Sequence, residues 1–326
     1  MKPHLLAAAT FVLTASIASS WDVSGHIIIA KIAYDNTSPA AREKMGSLGK
    51  MLTFATPGKG DRPPLLHTYN GVNLAAWPDN VKHASAKQTP FAHHFNDWHF
   101  IDIGLEPTDP NPLKTPAKLT VAGGDTIQAL QLCEKVLTHK VANSEFVPNE
   151  AVALALLCHL VGDIHQPLHC ASHYYHPAPT HGKPHDGGGN AVKIANFDDE
   201  YPELHQFWDT AYKMSFDPLT QRAHGGADLS TFSINPNSPL LVKGAKEIVD
   251  ANASHPIAPE SADFAKWARE SHKIAKEIAY GHLGFDYSDN EITVTEEYST
   301  EAKKTAQRQI YVAGMRLATI LKKIYP

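Results

Sequence analysis

The segment Ala151-Val-Ala-Leu-Ala-Leu-Leu-Cys-His159-Leu-Val-Gly-Asp163-Ile-His165-Gln-Pro-Leu-His169 places ionisable residues inside an apolar helix. A helix that is apolar on nearly every side is buried in the protein core. His159 and Asp163 are four residues apart and therefore lie on one side of this helix. Because a buried carboxylate without a partner is strongly destabilising, Asp163 requires a partner. The proline before Leu168 ends the helix, so His169 can turn back toward the same place.

Two explanations fit this segment on its own, and neither is favoured over the other. His159 and Asp163 either hydrogen-bond to each other in the core or bind a cation together. His205 and Asp209 repeat the four-residue spacing among leucine, phenylalanine and tryptophan. That second pair could also be an ion pair on a helix surface. Two such pairs with apolar neighbours favour metal binding.

The first twenty residues have the pattern of a secretory signal peptide. Lys2 supplies a positive charge, an apolar run extends over residues 5–18, and small residues end at Ser20. We therefore expect a secreted protein with a signal peptide over residues 1–20 and a single domain over residues 21–326.

Three short motifs supply further candidate ligands, although each is weak on its own. Cleavage after residue 20 would bring the α-amino group of Trp21 and the imidazole of His26 within reach of one ion. Asp79 follows Trp-Pro, and His99 lies in Trp-His-Phe-Ile-Asp. The alternatives are a frayed terminus, a helix cap and an ordinary strand histidine.

The composition excludes a protein that binds nucleic acid by its own charge alone. The chain has 326 residues, of which 43% are hydrophobic, and its formal net charge is −5. Proteins that bind nucleic acid electrostatically are usually basic. Metal ions would therefore have to supply the positive charge. Beyond the N-terminus no apolar run reaches membrane-spanning length, so no membrane anchor is expected.

Cysteine and asparagine motifs carry little information here. The chain has three cysteines, Cys133, Cys158 and Cys170. Because their number is odd, at least one thiol is unpaired, and no disulfide framework can be inferred. Asn36 and Asn252 each begin a glycosylation sequon, which is a weak signal for a glycoprotein.

Hydrophobic periodicity predicts a mainly α-helical single domain. Helices are expected over residues 25–33, 38–48, 126–138, 149–165, 203–214, 262–280 and 299–325. Strands are expected only over residues 98–103 and 191–194.

Taken in order, the motifs resemble those of the zinc-dependent single-strand-specific nucleases of fungi, plants and protists, the mung-bean type. The string Gly-Asp-Ile-His-Gln-Pro-Leu-His at 162–169 is the most specific of them. The match continues through Asp186-Gly-Gly-Gly-Asn190, Trp267-Ala-Arg-Glu-Ser271 and the helix at 313–318. The resemblance implies a multi-helix fold of the zinc-dependent nuclease and phospholipase C type, with three Zn²⁺ ions at the base of a cleft.

The resemblance also implies three sets of ligands. The first ion would be held by Asp79, His99, His159 and a bridging Asp163. The second would be held by Asp163, His26 and the amine and carbonyl of Trp21. The third would be held by His169, His205 and Asp209. Nitrogen and oxygen ligands without thiolate suit zinc in a catalytic site.

The same resemblance implies catalytic roles. Two ions that share Asp163 would activate a water, and Asp79 would orient the resulting hydroxide and accept its proton. Lys82 lies where the family has an arginine that steadies the phosphorane, and lysine lacks the bidentate geometry of arginine. The products would carry 5′-phosphates.

Four further residues are expected to serve the substrate site. Phe100 and Asp102 match family positions that stack on a base and hydrogen-bond its edge. Asp186 and Asn190 are expected to shape a glycine-rich loop that supports the ligands. The implied substrates are single-stranded DNA or RNA and 3′-nucleotides, and we expect a monomer.

Two other functions compete with the nuclease. A bacterial-type zinc phospholipase C shares the three-zinc plan, but it has a longer spacing from tryptophan to the first histidine and a glutamate in the last pair. Here the spacing is short and the acid is Asp209. A secreted zinc scavenger could use the histidine-rich stretch at 173–189, but it would not require Phe100 and Asp102.

Overall fold

The structure is a computed structural model. It describes residues 21–56, 65–82, 84–85, 88–91, 94–121, 123–141, 146–178, 182–200, 202–224, 235–281 and 291–326. The predicted signal peptide, residues 1–20, lies outside the described residues.

Helices dominate the described part of the chain, which confirms the predicted mainly α-helical class. The helices are α1 (Val23–Asp35), α2 (Pro39–Gly49), α3 (Trp77–Lys82), α4 (Thr126–Leu137), α5 (Glu150–Asp163), α6 (Leu204–Thr210), α7 (Pro239–Ala251), α8 (Phe264–Ile274) and α9 (Glu296–Ile324). A π-helical segment, Ala275–Tyr280, continues α8. Short 3₁₀ segments lie at Gly71–Ala76, Asn96–His99, Pro167–Cys170 and Ala211–Lys213.

Helix α5 lies at the centre of the fold. The side chain of Asn149 caps its first turn by accepting a hydrogen bond from Val152 N at 3.0 Å. Every residue over 151–163 is buried, as the apolar sequence predicts. Helices α1, α2, α3, α4 and α9 all pack against α5. His159 and Asp163 are therefore buried among packed helices.

The strands are short. Strand β1 (Thr53–Thr56) pairs antiparallel with β2 (Leu65–Thr68). Strand β3 (Lys193–Ile194) pairs parallel with β7 (Glu291–Ile292). The third sheet has the order β4 (Phe197–Asp198), β6 (Arg222–His224) and β5 (Ser215–Asp217).

The structure corrects two expectations about secondary structure. The predicted strand over 98–103 is wrong. Asn96–His99 is a 3₁₀ turn, and residues 100–103 do not belong to a β-strand. The indole of Trp98 donates to Thr120 O at 2.9 Å and helps to hold the turn. Helix α7 was not predicted, although Ser238 and Pro239 begin it as Ser38 and Pro39 begin α2.

Both glycosylation sequons begin at a residue that caps the end of a helix. The side-chain amide of Asn36 donates to Ile32 O at 2.8 Å, and that of Asn252 donates to Ile248 O at 2.9 Å. Asn252 is also buried. The amide nitrogens to which glycans would attach therefore hold helix ends, and glycosylation stays a prediction.

The three cysteines are buried, and their thiols are free. Burial raises the pKa of each thiol. They act as small apolar residues of the core in the described structure. None of the helices in the described ranges is both long and apolar enough to cross a membrane.

Helices α1 and α9 approach closely because glycine lies at their crossing. A Cβ atom on Gly314 would lie 2.6 Å from Ile32 Cγ2 and 3.2 Å from Ile29 O. These contacts are shorter than van der Waals distance, and they involve a branched core side chain and a backbone atom. The position therefore has no room for a larger residue.

We predict that Gly314→Ala lowers the free energy of unfolding by about 1–3 kcal/mol, because one added methyl overpacks the crossing. Gly244→Ala is a matched control in α7, where the nearest atom to an added Cβ, Ile28 Cδ1, lies at an ordinary 3.6 Å. Alanine favours a helix over glycine by about 1 kcal/mol, so the control should be neutral or stabilised. Equilibrium urea denaturation measures both, and equal shifts in the two variants would contradict the close crossing.

Candidate metal centre

The carboxylate of Asp163 is fully buried among three imidazoles. Its Oδ2 lies 3.0 Å from His99 Nδ1 and 3.2 Å from His159 Nε2. Its Oδ1 lies 3.3 Å from His26 Nε2. Burial alone would raise the pKa of Asp163, but these imidazoles, led by His159, hold its pKa well below the usual value. Four of the predicted ligands, Asp163 and the three histidines around it, thus lie together.

Local structure explains how these side chains meet. Helix α1 approaches α5 so closely that a Cβ atom on Gly162 would lie 2.8 Å from His26 Nδ1. His159 Nδ1 lies 2.7 Å from Ala75 O in the 3₁₀ segment, so the other nitrogen of the ring points to Asp163. The rings of His26 and His159 stack with their centroids 3.8 Å apart. A larger residue at position 162 would push α1 away and remove His26 from the cluster.

Asp79 reaches the same cluster from α3. Its Oδ1 lies 3.5 Å from His159 Nε2 and 3.8 Å from His99 Nδ1. Burial favours the neutral acid, but His159, His99 and His26 together with Lys82 lower the pKa of Asp79 below its usual value. Lys82 lies three residues later on α3 and is also buried. The helix therefore presents a carboxylate and an ammonium group to one site.

The second cluster consists of His169, His205 and Asp209. The Nε2 atoms of His169 and His205 lie 3.0 Å apart, and His205 Nε2 lies 3.7 Å from Asp209 Oδ2. It borders the first cluster, because His169 Nδ1 lies 4.0 Å from Asp163 Oδ1. Burial, with Asp22 and Asp163 nearby, raises the pKa of Asp209 well above its usual value.

The ring orientations in this second cluster suit a cation. His169 Nδ1 lies 2.6 Å from His99 O, and His205 Nδ1 lies 2.7 Å from Gly188 O. An imidazole that donates its Nδ1 proton to a carbonyl has, in its neutral form, a lone pair on Nε2. Two such lone pairs face each other across 3.0 Å and would repel each other unless a proton or cation lies between them. Zinc–nitrogen bonds of about 2.0–2.1 Å in a tetrahedron place two ligand nitrogens roughly 3.3 Å apart. The observed separation of the two Nε2 atoms, 3.0 Å, is close to that distance.

Unsatisfied buried atoms support the same conclusion. Among the described residues, His99 Nε2, Asp163 Oδ1 and Asp209 Oδ2 are buried and lack a hydrogen-bond partner. Buried polar atoms normally have one. In the part of the chain that the structure describes, three groups of side chains have ligand atoms within 4.8 Å of one another: His26, Asp79 and His159; His99, His159 and Asp163; His169, His205 and Asp209. The third group is identical to the third predicted ligand set. The first two groups both contain His159, and together they also contain the predicted ligands His26, Asp79, His99 and Asp163.

Trp21 is fixed beside these clusters by contacts that the sequence did not reveal. Its indole is fully buried and donates to Gly162 O at 2.9 Å. The carboxylate of Asp22 accepts hydrogen bonds from Tyr212 Oη at 2.8 Å and from Lys213 Nζ. These partners follow α6 directly, so Asp22 ties the start of the described chain to the helix that carries His205 and Asp209. The contacts span about 190 positions, and no local pattern marks them.

Gln166 is a second supporting residue that the sequence reasoning missed. Its Nε2 donates to Asp209 Oδ1 at 2.7 Å, and its Oε1 accepts from Leu168 N at 2.6 Å. One side chain thus orients a carboxylate of α6 and shapes the turn that leads to His169. Its place inside the most specific motif was the available signal.

Phe100 and Asp102 follow His99 on an extended segment and are only half-buried, unlike the ligands. Asp102 Oδ1 accepts a hydrogen bond from Ser172 Oγ at 2.5 Å. The two residues therefore lie beside the buried clusters with part of their surface accessible to a substrate.

The glycine-rich loop at 186–190 contacts His205 through the carbonyl of Gly188, and the predicted role of Asp186 and Asn190 in shaping it stays a prediction. The carboxylate of Asp186 accepts from Gly188 N at 3.0 Å, His173 N at 2.9 Å and Tyr280 Oη at 2.8 Å. Burial raises the pKa of Asp186 to about 6. Gly188 has φ +66°, and its carbonyl faces His205, so a residue with a side chain would disturb the loop. Asn190 closes the turn by donating to Gly187 O at 2.6 Å.

His165 lies between the ligands in sequence but points away from them. Its Nδ1 lies 2.7 Å from Val161 O, and its Nε2 lies 2.9 Å from Arg316 Nη1. Arg316 also pairs with Glu260 at 2.8 Å and Glu270 at 2.7 Å. Burial and the charge of Arg316 lower the pKa of His165 to about 3. His165 therefore joins α5 to α9 as a neutral acceptor.

Comparison with known proteins finds relatives over nearly the whole chain. A family model described as S1/P1 nuclease matches residues 21–326. The chain is 27% identical to nuclease S1 of Aspergillus oryzae over 70% of this chain and 64% of that protein, a little under two thirds of its length. It is 24% identical to nuclease P1 of Penicillium citrinum over 94% of this chain and 98% of that protein. It is 24% identical to endonuclease 1 of Arabidopsis thaliana over 94% of this chain and 87% of that protein.

The neutral state of His165 predicts a pH dependence of stability in the metal-free protein. Between the ordinary pKa of 6.5 and about 3, the unfolded chain binds a proton at this residue and the folded chain does not. Unfolding therefore becomes more favourable as the pH falls, by up to about 1.4 kcal/mol for each pH unit. His165→Gln removes this contribution, so its stability should fall less steeply with pH than that of the wild type.

Urea denaturation in chelator at several pH values below 6.5 measures this slope. His255→Gln is the control, because His255 is exposed and its replacement should leave the slope unchanged. Parallel stability curves for wild type and His165→Gln would show that His165 does not stay neutral in the fold.

Proposed function

Because the chain belongs to the S1/P1 nuclease family and is therefore a hydrolase of phosphodiester bonds, we propose that it is a secreted, zinc-dependent, single-strand-specific nuclease. It hydrolyses single-stranded DNA and RNA to products with 5′-phosphates, and it dephosphorylates 3′-nucleotides. Three Zn²⁺ ions serve as its cofactors. Residues 1–20 are removed as a signal peptide, and residues 21–326 act as a monomer.

The observation that carries this proposal is the pair of facing imidazoles, His169 and His205. Backbone carbonyls hold both rings so that their Nε2 atoms meet at 3.0 Å, with Asp209 beside them. His159 has the same carbonyl-oriented geometry in the other cluster. Histidines that bind zinc commonly donate their second ring N–H to a carbonyl or carboxylate in this way.

The residues fit three ions. Nine ligands are assigned: Asp79, His99, His159 and Asp163 to the first ion; Trp21, His26 and Asp163 to the second; His169, His205 and Asp209 to the third. Removal of residues 1–20 would free the α-amino group of Trp21, whose indole donates to Gly162 O on α5. Bound zinc ions lower the pKa of coordinated water and stabilise charge on a leaving oxygen.

The chain's own side chains supply the remaining chemistry. Asp79, kept ionised by its neighbours, orients the attacking water and accepts its proton. Lys82, on the same face of α3 as Asp79 within one turn, places a positive charge where negative charge develops on the phosphoryl oxygens. Phe100 stacks on a base, and Asp102, whose Oδ1 is held by Ser172, hydrogen-bonds the base edge. A duplex hides these surfaces of its bases, so the site favours single strands.

The first test is cleavage of a single-stranded oligonucleotide by the purified protein that begins at Trp21. We expect about three zinc ions per chain by elemental analysis, chelator-sensitive cleavage, and 5′-phosphate on the products. Phosphatidylcholine, offered in parallel, should stay intact. Cleavage of the lipid without cleavage of the oligonucleotide would assign the protein to phospholipase chemistry. Bound zinc without either activity would favour a zinc scavenger.

A second prediction concerns Lys82. Lys82→Met should lower kcat by about 10²–10³-fold, as expected when one donor to a transition-state anion is lost, while zinc content stays unchanged. Lys82→Arg keeps the charge and should retain most of the activity. Lys50→Met is the control, because Lys50 is exposed at the end of α2. A kcat at the wild-type level for Lys82→Met would remove Lys82 from the catalytic machinery.

A further inference from the structure

Residues 172–175 and 184–186 form a short ribbon beside the segment that carries Phe100 and Asp102. Tyr175 N donates to Pro184 O at 2.9 Å, and Asp186 N donates to His173 O at 3.0 Å. Ser172 N donates to Ile103 O at 3.0 Å, which anchors the ribbon to the extended segment after His99. The ribbon therefore has a defined position relative to the proposed base pocket.

Side-chain alternation determines which residues of the ribbon face that pocket. In an extended chain, residues two apart point to the same side. Ser172 Oγ donates to Asp102, so Ser172 points toward the pocket, and Tyr174 projects from the same face.

The electrostatics of Tyr174 agree with this placement. Burial, followed by the charges of Asp102 and Asp109, raises the pKa of Tyr174 to about 12. His173 and Tyr175 alternate to the other side, where their rings meet edge to face with centroids 5.5 Å apart.

Tyr174 and His185 together present an aromatic surface. The two residues are paired across the ribbon, and their ring centroids are 5.1 Å apart. Both are half-buried, so part of each side chain is accessible. Accessible aromatic rings along a single-strand path bind nucleobases by stacking, with little preference for sequence.

Positive charge is available at the end of the ribbon. Lys183 directly precedes Pro184, whose carbonyl accepts from Tyr175 N, and Lys183 is exposed. An exposed cation next to an aromatic surface attracts a phosphate backbone.

We propose that Tyr174 and His185 form a second base subsite, which stacks on the base of a nucleotide next to the one held by Phe100 and Asp102. Lys183 supplies positive charge for the connecting phosphate. The proposal rests on the proposed nuclease function, and it makes the ribbon a determinant of preference for oligonucleotides over single nucleotides.

The test compares a ligand with one base to a substrate with several. Thymidine 5′-monophosphate gives the one-base affinity as an inhibition constant, and an eight-residue oligothymidylate gives KM and kcat. Tyr174→Ala should raise the KM for the oligonucleotide by about 5- to 100-fold relative to the inhibition constant of the mononucleotide, the range for loss of one stacked base. Tyr174→Phe keeps the ring and should behave as the wild type does. Tyr175→Ala, on the opposite face of the ribbon, should leave the ratio of the two constants unchanged.

The outcomes separate this proposal from the proposed function. A wild-type protein that does not cleave the oligonucleotide would overturn the nuclease function itself. An active wild type with an unchanged ratio in Tyr174→Ala would overturn the subsite alone. Equal weakening of both ligands in Tyr174→Ala would assign Tyr174 a structural role in the ribbon and would also overturn it.

Discussion

The buried charge of Asp163 is the constraint on which the rest of the metal centre depends. Its carboxylate has no access to water, so neighbouring groups must compensate it. Helix α5 can hold it because three imidazoles surround it: α1 brings His26, the 3₁₀ turn brings His99, and α5 itself contributes His159. The packing of these elements around α5 therefore also brings the side chains of the site together.

Backbone carbonyls give this site its rigidity. Ala75, His99 and Gly188 each place a carbonyl oxygen 2.6–2.7 Å from the Nδ1 atom of a different histidine. Those carbonyls belong to a 3₁₀ segment, a 3₁₀ turn and a glycine loop, whose conformations depend on the surrounding fold. The histidine orientations are consequently set before any ion binds, which limits the reorganisation that binding requires.

The sequence predicted what local patterns encode and missed what distant contacts create. The apolar run of α5 and the two four-residue His–Asp spacings were sufficient to predict the central helix and two clusters, and the resemblance to a nuclease family is confirmed by the family match. The positions that Asp22, Tyr212 and Lys213 take around Trp21 depend on contacts across about 190 residues, which periodicity does not report. Around His99, the hydrogen bonds of Trp98 outweigh the strand propensity of an aromatic and β-branched segment. Helix α7 differs, because Ser238 and Pro239 mark its start locally, as Ser38 and Pro39 mark the start of α2.

The opposed pKa shifts of Asp163 and Asp209 bear on cation binding at the candidate site. Imidazoles keep Asp163 ionised, whereas burial near Asp22 and Asp163 favours the protonated form of Asp209. Ligands must be deprotonated to bind a metal, so a cation entering between His169, His205 and Asp209 would displace a proton. The same cation would separate the two facing Nε2 atoms and compensate the carboxylate of Asp209. Such binding would therefore depend on pH. A net charge of −5 is consistent with action on a polyanion, because bound cations can place the required positive charge at the site itself.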